Sequence, residues 1–178
     1  MGPESALALT VDTFSREETV DFGVALAGRL REGDVVEMDG DLGAGKTALT
    51  EGIACGLAVR GAVSSPTFTL LIDHAAGPCG LPLHHFDAYR LQDADEFLHL
   101  GFDEIVGSGG VTVVEWAGRV RSALPSEAVR IVASRRDELG EDVRRLDVAF
   151  PQGREDDAAA LARFVDTMAR GREEGTPC

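Results

Sequence analysis

A chain of 178 residues, 44% hydrophobic and 27% charged, is long enough for one packed domain and too short for two comfortable ones. Its formal charge of −14, from 31 acids against 17 bases, excludes the basic stripe with which a protein grips RNA unaided. No stretch is apolar enough to span a bilayer and no signal peptide opens the chain, so a cytoplasmic protein with no membrane partner is expected.

In chain order, Ala6–Val11 alternates weakly and reads as a first strand. Ser15-Arg16-Glu17-Glu18 has the form of a capping box and opens a helix running towards Arg31. Gly33-Asp34 turns the chain into the short strand Val35–Met38. A Gly-rich loop follows, then an Ala/Leu/Ile helix from Lys46 to Leu57. Later β-branched or apolar runs predict strands at Phe68–Ile72, Leu83–Phe86, Val111–Val114, Val129–Ala133 and Leu146–Phe150, with helices at Ala94–Leu100 and Asp157–Arg170. Ser134–Arg145, short and charged, reads as a hairpin. Cys55, Cys79 and Cys178 have no metal-ligand spacing. This order predicts an α/β fold, a three-layer sandwich around a mainly parallel central sheet with an antiparallel edge.

Gly40-Asp41-Leu42-Gly43-Ala44-Gly45-Lys46-Thr47 matches G-x-x-x-x-G-K-[ST] in full. The glycines let successive amides turn inward as an anion nest, and the following helix adds its unsatisfied N-terminal amides. Of the 17 bases Lys46 is the sole lysine, and the other sixteen are arginine. A guanidinium is a planar fork, whereas an ammonium is a compact point charge that fits among phosphate oxygens. Lys46 is expected to reach β- and γ-phosphates and the Thr47 hydroxyl to ligate magnesium. The expected ligands are therefore nucleoside di- or triphosphates with Mg²⁺, ATP or ADP among them, since the loop itself reads no base. With only one lysine the chain cannot carry an Asn-Lys-x-Asp guanine-reading motif.

Hydrolysis also requires a carboxylate beside the metal and a group that places water. Glu115 follows Val111–Val114 and Asp87 follows Leu83–Phe86, so both emerge at the carboxyl ends of strands, the edge where open α/β sheets bind ligands. Periodicity does not say which of the two meets the metal directly. Ser64-Ser65-Pro66-Thr67 reads as a plain turn on local chemistry, or as a switch-like loop in which Thr67 reports on the γ-phosphate. Trp116 is a core residue by type, or a gate by its place beside Glu115. His84 and His85 alternate faces of a strand, so they are not paired ligands and read as structural. The pairs Arg135-Arg136 and Arg144-Arg145 fall in the hairpin and read as surface.

Taken together, Gly40–Thr47, Ser65-Pro66-Thr67-Phe68-Thr69-Leu70, His85-Phe86-Asp87 with Tyr89-Arg90-Leu91, and Val114-Glu115-Trp116 resemble, in that order, the bacterial TsaE (YjeE) family. The resemblance spans roughly residues 10–150. It implies a P-loop ATPase that works with TsaD and TsaB to install threonylcarbamoyl on the adenosine beside the anticodon, tRNA being met only through that complex. By resemblance, nucleotide contacts fall on Leu42, Gly43, Ala44, Gly45, Lys46, Thr47, Ala48 and Asp87, and metal contacts on Thr47 and Glu115. Lys46, Asp87 and Glu115 are the groups needed for hydrolysis, Thr67 belongs to a switch-like segment, Trp116 is functionally important, and Ser15–Thr19 lies near the adenine. Residues 6–170 are expected to form the ATPase domain, with flexible ends at 1–5 and 171–178. The chain departs from the family in a Gly/Pro-interrupted loop at His74–Leu83 and in Ala117-Gly118 after the tryptophan. A small-molecule kinase and a nucleotide-gated binding module remain as rival classes.

Overall fold

Val35-Val36-Glu37-Met38-Asp39 (β2) is apolar enough to be buried on both faces, and it forms the middle of a seven-stranded sheet. A computed structural model describes residues 8–63, 66, 68–78 and 80–174. The other strands are β1 (Ala8–Thr13), β3 (Leu71–His74), β4 (Leu83–Asp87), β5 (Val111–Glu115), β6 (Val129–Arg135) and β7 (Arg144–Ala149), in the order β1-β7-β6-β2-β5-β4-β3. Pairings β6–β2, β2–β5 and β5–β4 are parallel. Both edges are antiparallel, through β3 on one side and β7–β1 on the other, where the sequence led us to expect one such edge. The second arises because the loop between β3 and β4 is too short for a helical crossover.

Helices α1 (Arg16–Ala27), α2 (Lys46–Gly56) and α5 (Glu155–Glu174) accompany one core, which contains Phe22, Leu26, Met38, Leu49, Ile53, Val113 and Ile131. On the other face α3 (Ala94–His99) and α4 (Phe102–Gly107) enclose Phe86, Phe97, Phe102 and Val114. The result is three layers with helices on both sides of the sheet. Among the described residues no helix is long and apolar enough to cross a membrane.

Several boundaries differ from expectation for identifiable reasons. Phe68 and Thr69 are not in a strand, because the Pro66 carbonyl captures the amides of Thr69 (3.0 Å) and Leu70 (2.7 Å), and Leu70 then turns at φ 66°. The first helix stops at Ala27, capped by Gly28, instead of reaching Arg31. The capping box does form: the Ser15 hydroxyl accepts from Glu18 N at 3.1 Å, and Glu18 accepts from Phe14 N at 2.9 Å. The last helix continues to Glu174, so residues 171–174 are helical and not a flexible end. Helix α4 was not anticipated; Gly101, at φ 80°, breaks it from α3 and hides the periodicity of both. Residues 1–7 and 175–178 lie outside the described set.

Helices α1 and α2 cross unusually close because glycine faces glycine. A Cβ on Gly52 would sit 2.1 Å from the Val20 carbonyl oxygen, and one on Gly23 would sit 2.5 Å from that of Leu49. This crossing holds α2, and with it the Gly-rich loop, against the sheet. Gly52→Ala is expected to cost about 3 kcal/mol, the upper end for overpacking, because the atom met is backbone and cannot swing aside. Gly171→Ala, with open space around it, should be neutral or stabilising. Denaturant titration of the two variants checks the contrast; equal midpoints would contradict the close-crossing account.

Candidate functional site

At the end of β2 the chain passes through Gly40 at φ 134°, where a Cβ would lie 2.0 Å from the Ala133 carbonyl oxygen. No side chain fits there. Gly45 then caps α2 in the left-handed region at φ 98°, with no side-chain cap. The first intrahelical bond runs from Leu49 N to Gly45 O (2.9 Å), so the amides of Lys46, Thr47 and Ala48 have no acceptor within the helix. They sit at the wall of a cavity of about 350 Å³ that Leu42, Gly43, Ala44, Gly45, Lys46, Thr47 and Ala48 line together. Free amides at a helix start make the wall electropositive.

Lys46 is 5% exposed and folded back on its own loop. Its ammonium donates to the carbonyls of Gly40 (2.6 Å) and Asp41 (2.9 Å) and lies 3.9 Å from the centre of the Trp116 ring. Burial lowers its pKa, opposed by the negative charges of Glu115, Asp39, Asp87 and Asp41. Trp116 follows β5 at φ 58°, a conformation a bulky residue adopts only when its surroundings impose it. Its ring leans on Tyr89, centroids 4.9 Å apart. The small residues after it now have a reason. Ala117 is fully buried, and a Cβ on Gly118 would meet Asp39 Oδ2 at 2.4 Å.

Asp87 and Glu115 are register partners at the carboxyl ends of the parallel strands β4 and β5, each 2% exposed, and both line the cavity. Asp87 accepts the Tyr89 amide at 2.9 Å. Glu115 Oε1 is approached by His85 Nε2 at 2.9 Å and by the Thr50 hydroxyl at 3.3 Å. The Thr47 hydroxyl lies 3.4 Å from each Glu115 oxygen, longer than a well-formed O–H···O bond. A hydroxyl and a carboxylate thus face each other at the cavity wall. Among the described residues there is no cluster of three or more His, Cys, Asp or Glu able to hold a metal ion alone. That donor set fits Mg²⁺, which binds through one or two protein oxygens and completes its shell with water and phosphate; it does not fit a metal needing an all-protein cage.

Sequence reasoning missed two neighbours. Arg144, read as surface, lines the cavity: its Nε donates to the Gly43 carbonyl at 2.9 Å and its Nη1 to those of Glu141 (2.6 Å) and Val143 (3.0 Å). No motif links residues so far apart; only the β6–β7 hairpin beside the loop brings them together. His85, read as structural, touches Glu115, which follows from the diagonal register of β4 on β5. Arg16 and Thr19 also line the cavity, so the start of α1 does approach it. Thr67, with Ser64 and Ser65, lies outside the described residues.

The fold and the cradle at its strand ends define an α/β protein of the P-loop NTPase-like class. The family model described as "Threonylcarbamoyl adenosine biosynthesis protein TsaE" matches residues 13–145. The protein of that name from Bacillus subtilis (strain 168) is 42% identical over 134 residues, covering 75% of this chain and 80% of the relative. The one from Streptomyces coelicolor is 42% identical over 130 residues, covering 72% and 87%. A crystal structure of YdiB from Bacillus subtilis superposes with a TM-score of 0.72 at 34% identity, over 89% of this chain and 96% of that one. The chain belongs to the TsaE family.

Proposed function

We propose that this chain binds ATP with Mg²⁺ and hydrolyses it in support of threonylcarbamoyladenosine formation in tRNA, acting in the cytoplasm with TsaD and TsaB homologues. One observation supports the ATPase reading above all: Lys46, Thr47, Asp87 and Glu115 converge on one cavity from α2, β4 and β5. In this reading the amides of Gly43–Ala48 receive the phosphates, and Lys46 exchanges the Gly40 and Asp41 carbonyls for β- and γ-oxygens. Thr47 and Glu115 hold the metal, which supplies charge neutralisation on the terminal phosphates when bound. Asp87, buried at the cavity wall, orients the attacking water by accepting its hydrogen bond. Water oxygen bonds to the γ-phosphorus, the bond to the β,γ-bridging oxygen breaks with its electron pair staying on ADP, and the water's protons pass to the released phosphate and to solvent.

The family supplies the tRNA context. The charge of −14 favours contact with tRNA through partner proteins and not directly. Arg144, like Arg16 at the cavity wall, favours a kinase in so far as such an enzyme needs an arginine near the transferring phosphoryl. Arg16 pairs with Glu51, and the bonds of Arg144 to backbone carbonyls make it a strut of the loop instead.

Reconstitution with TsaB and TsaD homologues, scoring modified tRNA with and without this chain, tests the proposal. Repeated modification cycles are expected only with the chain and ATP present. Modification that proceeds equally well without it overturns the tRNA role, and phosphoryl transfer to a metabolite faster than to water would install the kinase in its place.

A further inference from the structure

We infer that His85 is a positioning residue that fixes the orientation of the Glu115 carboxylate; the inference rests on the reading that Thr47 and Glu115 hold Mg²⁺. In the parallel pairing of β4 with β5, Asp87 stands opposite Glu115 and His85 opposite Val113. His85 is therefore diagonal to Glu115 on the same sheet face, two residues back, where an imidazole reaches the carboxylate. The ring is fully buried, and Nε2 lies 2.9 Å from Glu115 Oε1.

For the ring to donate to Glu115, Nε2 carries the proton, and this is the tautomer the inference assigns. The remaining nitrogen, Nδ1, is buried and has no hydrogen-bond partner among the described residues. All the hydrogen bonding of this ring is directed at Glu115. A purely structural core position would be filled at lower cost by an apolar side chain, which leaves no polar atom buried without a partner. The single proton of the Thr50 hydroxyl is shared between the Lys46 carbonyl at 3.0 Å and the same Glu115 oxygen at 3.3 Å. Oε1 is thereby occupied by the strand and helix behind it. Among the described residues Oε2 has only the Thr47 hydroxyl within reach, at 3.4 Å, the distance that hydroxyl also keeps from Oε1. Outer-shell partners that orient a ligating carboxylate in this way typically govern metal affinity by about 10- to 100-fold.

The test is calorimetric binding of ADP, with and without Mg²⁺, to the wild-type chain, His85→Leu and His85→Gln, together with the imidazole ¹⁵N spectrum of the wild type. His85→Leu is expected to bind ADP alone as the wild type does and to need roughly 10- to 100-fold more Mg²⁺ for the metal-dependent gain. His85→Gln, whose amide N–H₂ can replace the lost donor, should recover most of that gain. The spectrum should show the Nε2–H tautomer. Wild-type Mg²⁺ dependence in His85→Leu, equal losses in the Leu and Gln variants, or an Nδ1–H tautomer would each overturn the inference. Absence of ADP binding to the wild type would instead remove the nucleotide reading, and the tautomer would still decide whether His85 donates to Glu115 in a folded chain.

Discussion

Lys46→Ala is expected to lose ATP and ADP binding while remaining folded. The side chain is the only lysine ammonium in the chain, and it already sits at the mouth of the amide cradle with its charge satisfied by two backbone carbonyls and an indole face. Truncating one partner of a buried, hydrogen-bonded charge pair costs about 2–5 kcal/mol. At about 1.4 kcal/mol per tenfold, that is roughly 30-fold to a few thousandfold in affinity. Lys46→Arg should not restore binding, because a planar fork cannot occupy the space between loop carbonyls and phosphate oxygens that a point charge fills. Calorimetry with circular dichroism as the folding control is the measurement. Wild-type affinity in a folded Lys46→Ala protein would refute the assignment of the cradle.

Glu115→Gln should separate binding from hydrolysis. The amide keeps the volume of the side chain, so the buried β5 terminus stays packed, but it removes the negative charge from the cavity. Loss of one preorganised electrostatic group at a reaction centre typically costs about 100- to 1,000-fold in turnover, and that range is expected for ATP hydrolysis here. ADP binding without Mg²⁺ should be preserved or strengthened, since a negative charge near the phosphates has gone. Hydrolysis within a few-fold of wild type would assign the essential carboxylate to Asp87 alone.

The Gly-rich loop was legible because each of its features is local. Gly40 and Gly45 are demanded by backbone angles, and Lys46 and Thr47 follow within the same turn of chain. The two carboxylates were legible for a similar reason: Glu115 directly follows a β-branched run and Asp87 the run Leu83–Phe86, and the sheet brings those ends side by side. Arg144 and His85 were not. Their roles depend on which strand lies beside which, and neither residue type advertises a neighbour so distant in sequence. The segment at Phe68–Leu70 misled for the opposite reason. Its β-branched, aromatic composition favours a strand, but the carbonyl of the preceding Pro66 had two amides to satisfy and made a turn.

The resting place of Lys46 has an optical consequence. The chain contains one tryptophan, and its indole lies against the cation that, in the proposed function, exchanges loop carbonyls for phosphate oxygens. Emission from that ring is therefore expected to change on nucleotide addition. With no competing indole elsewhere to blur the signal, unlabelled protein suffices to follow it. Emission unmoved by saturating nucleotide would mean the ammonium stays parked.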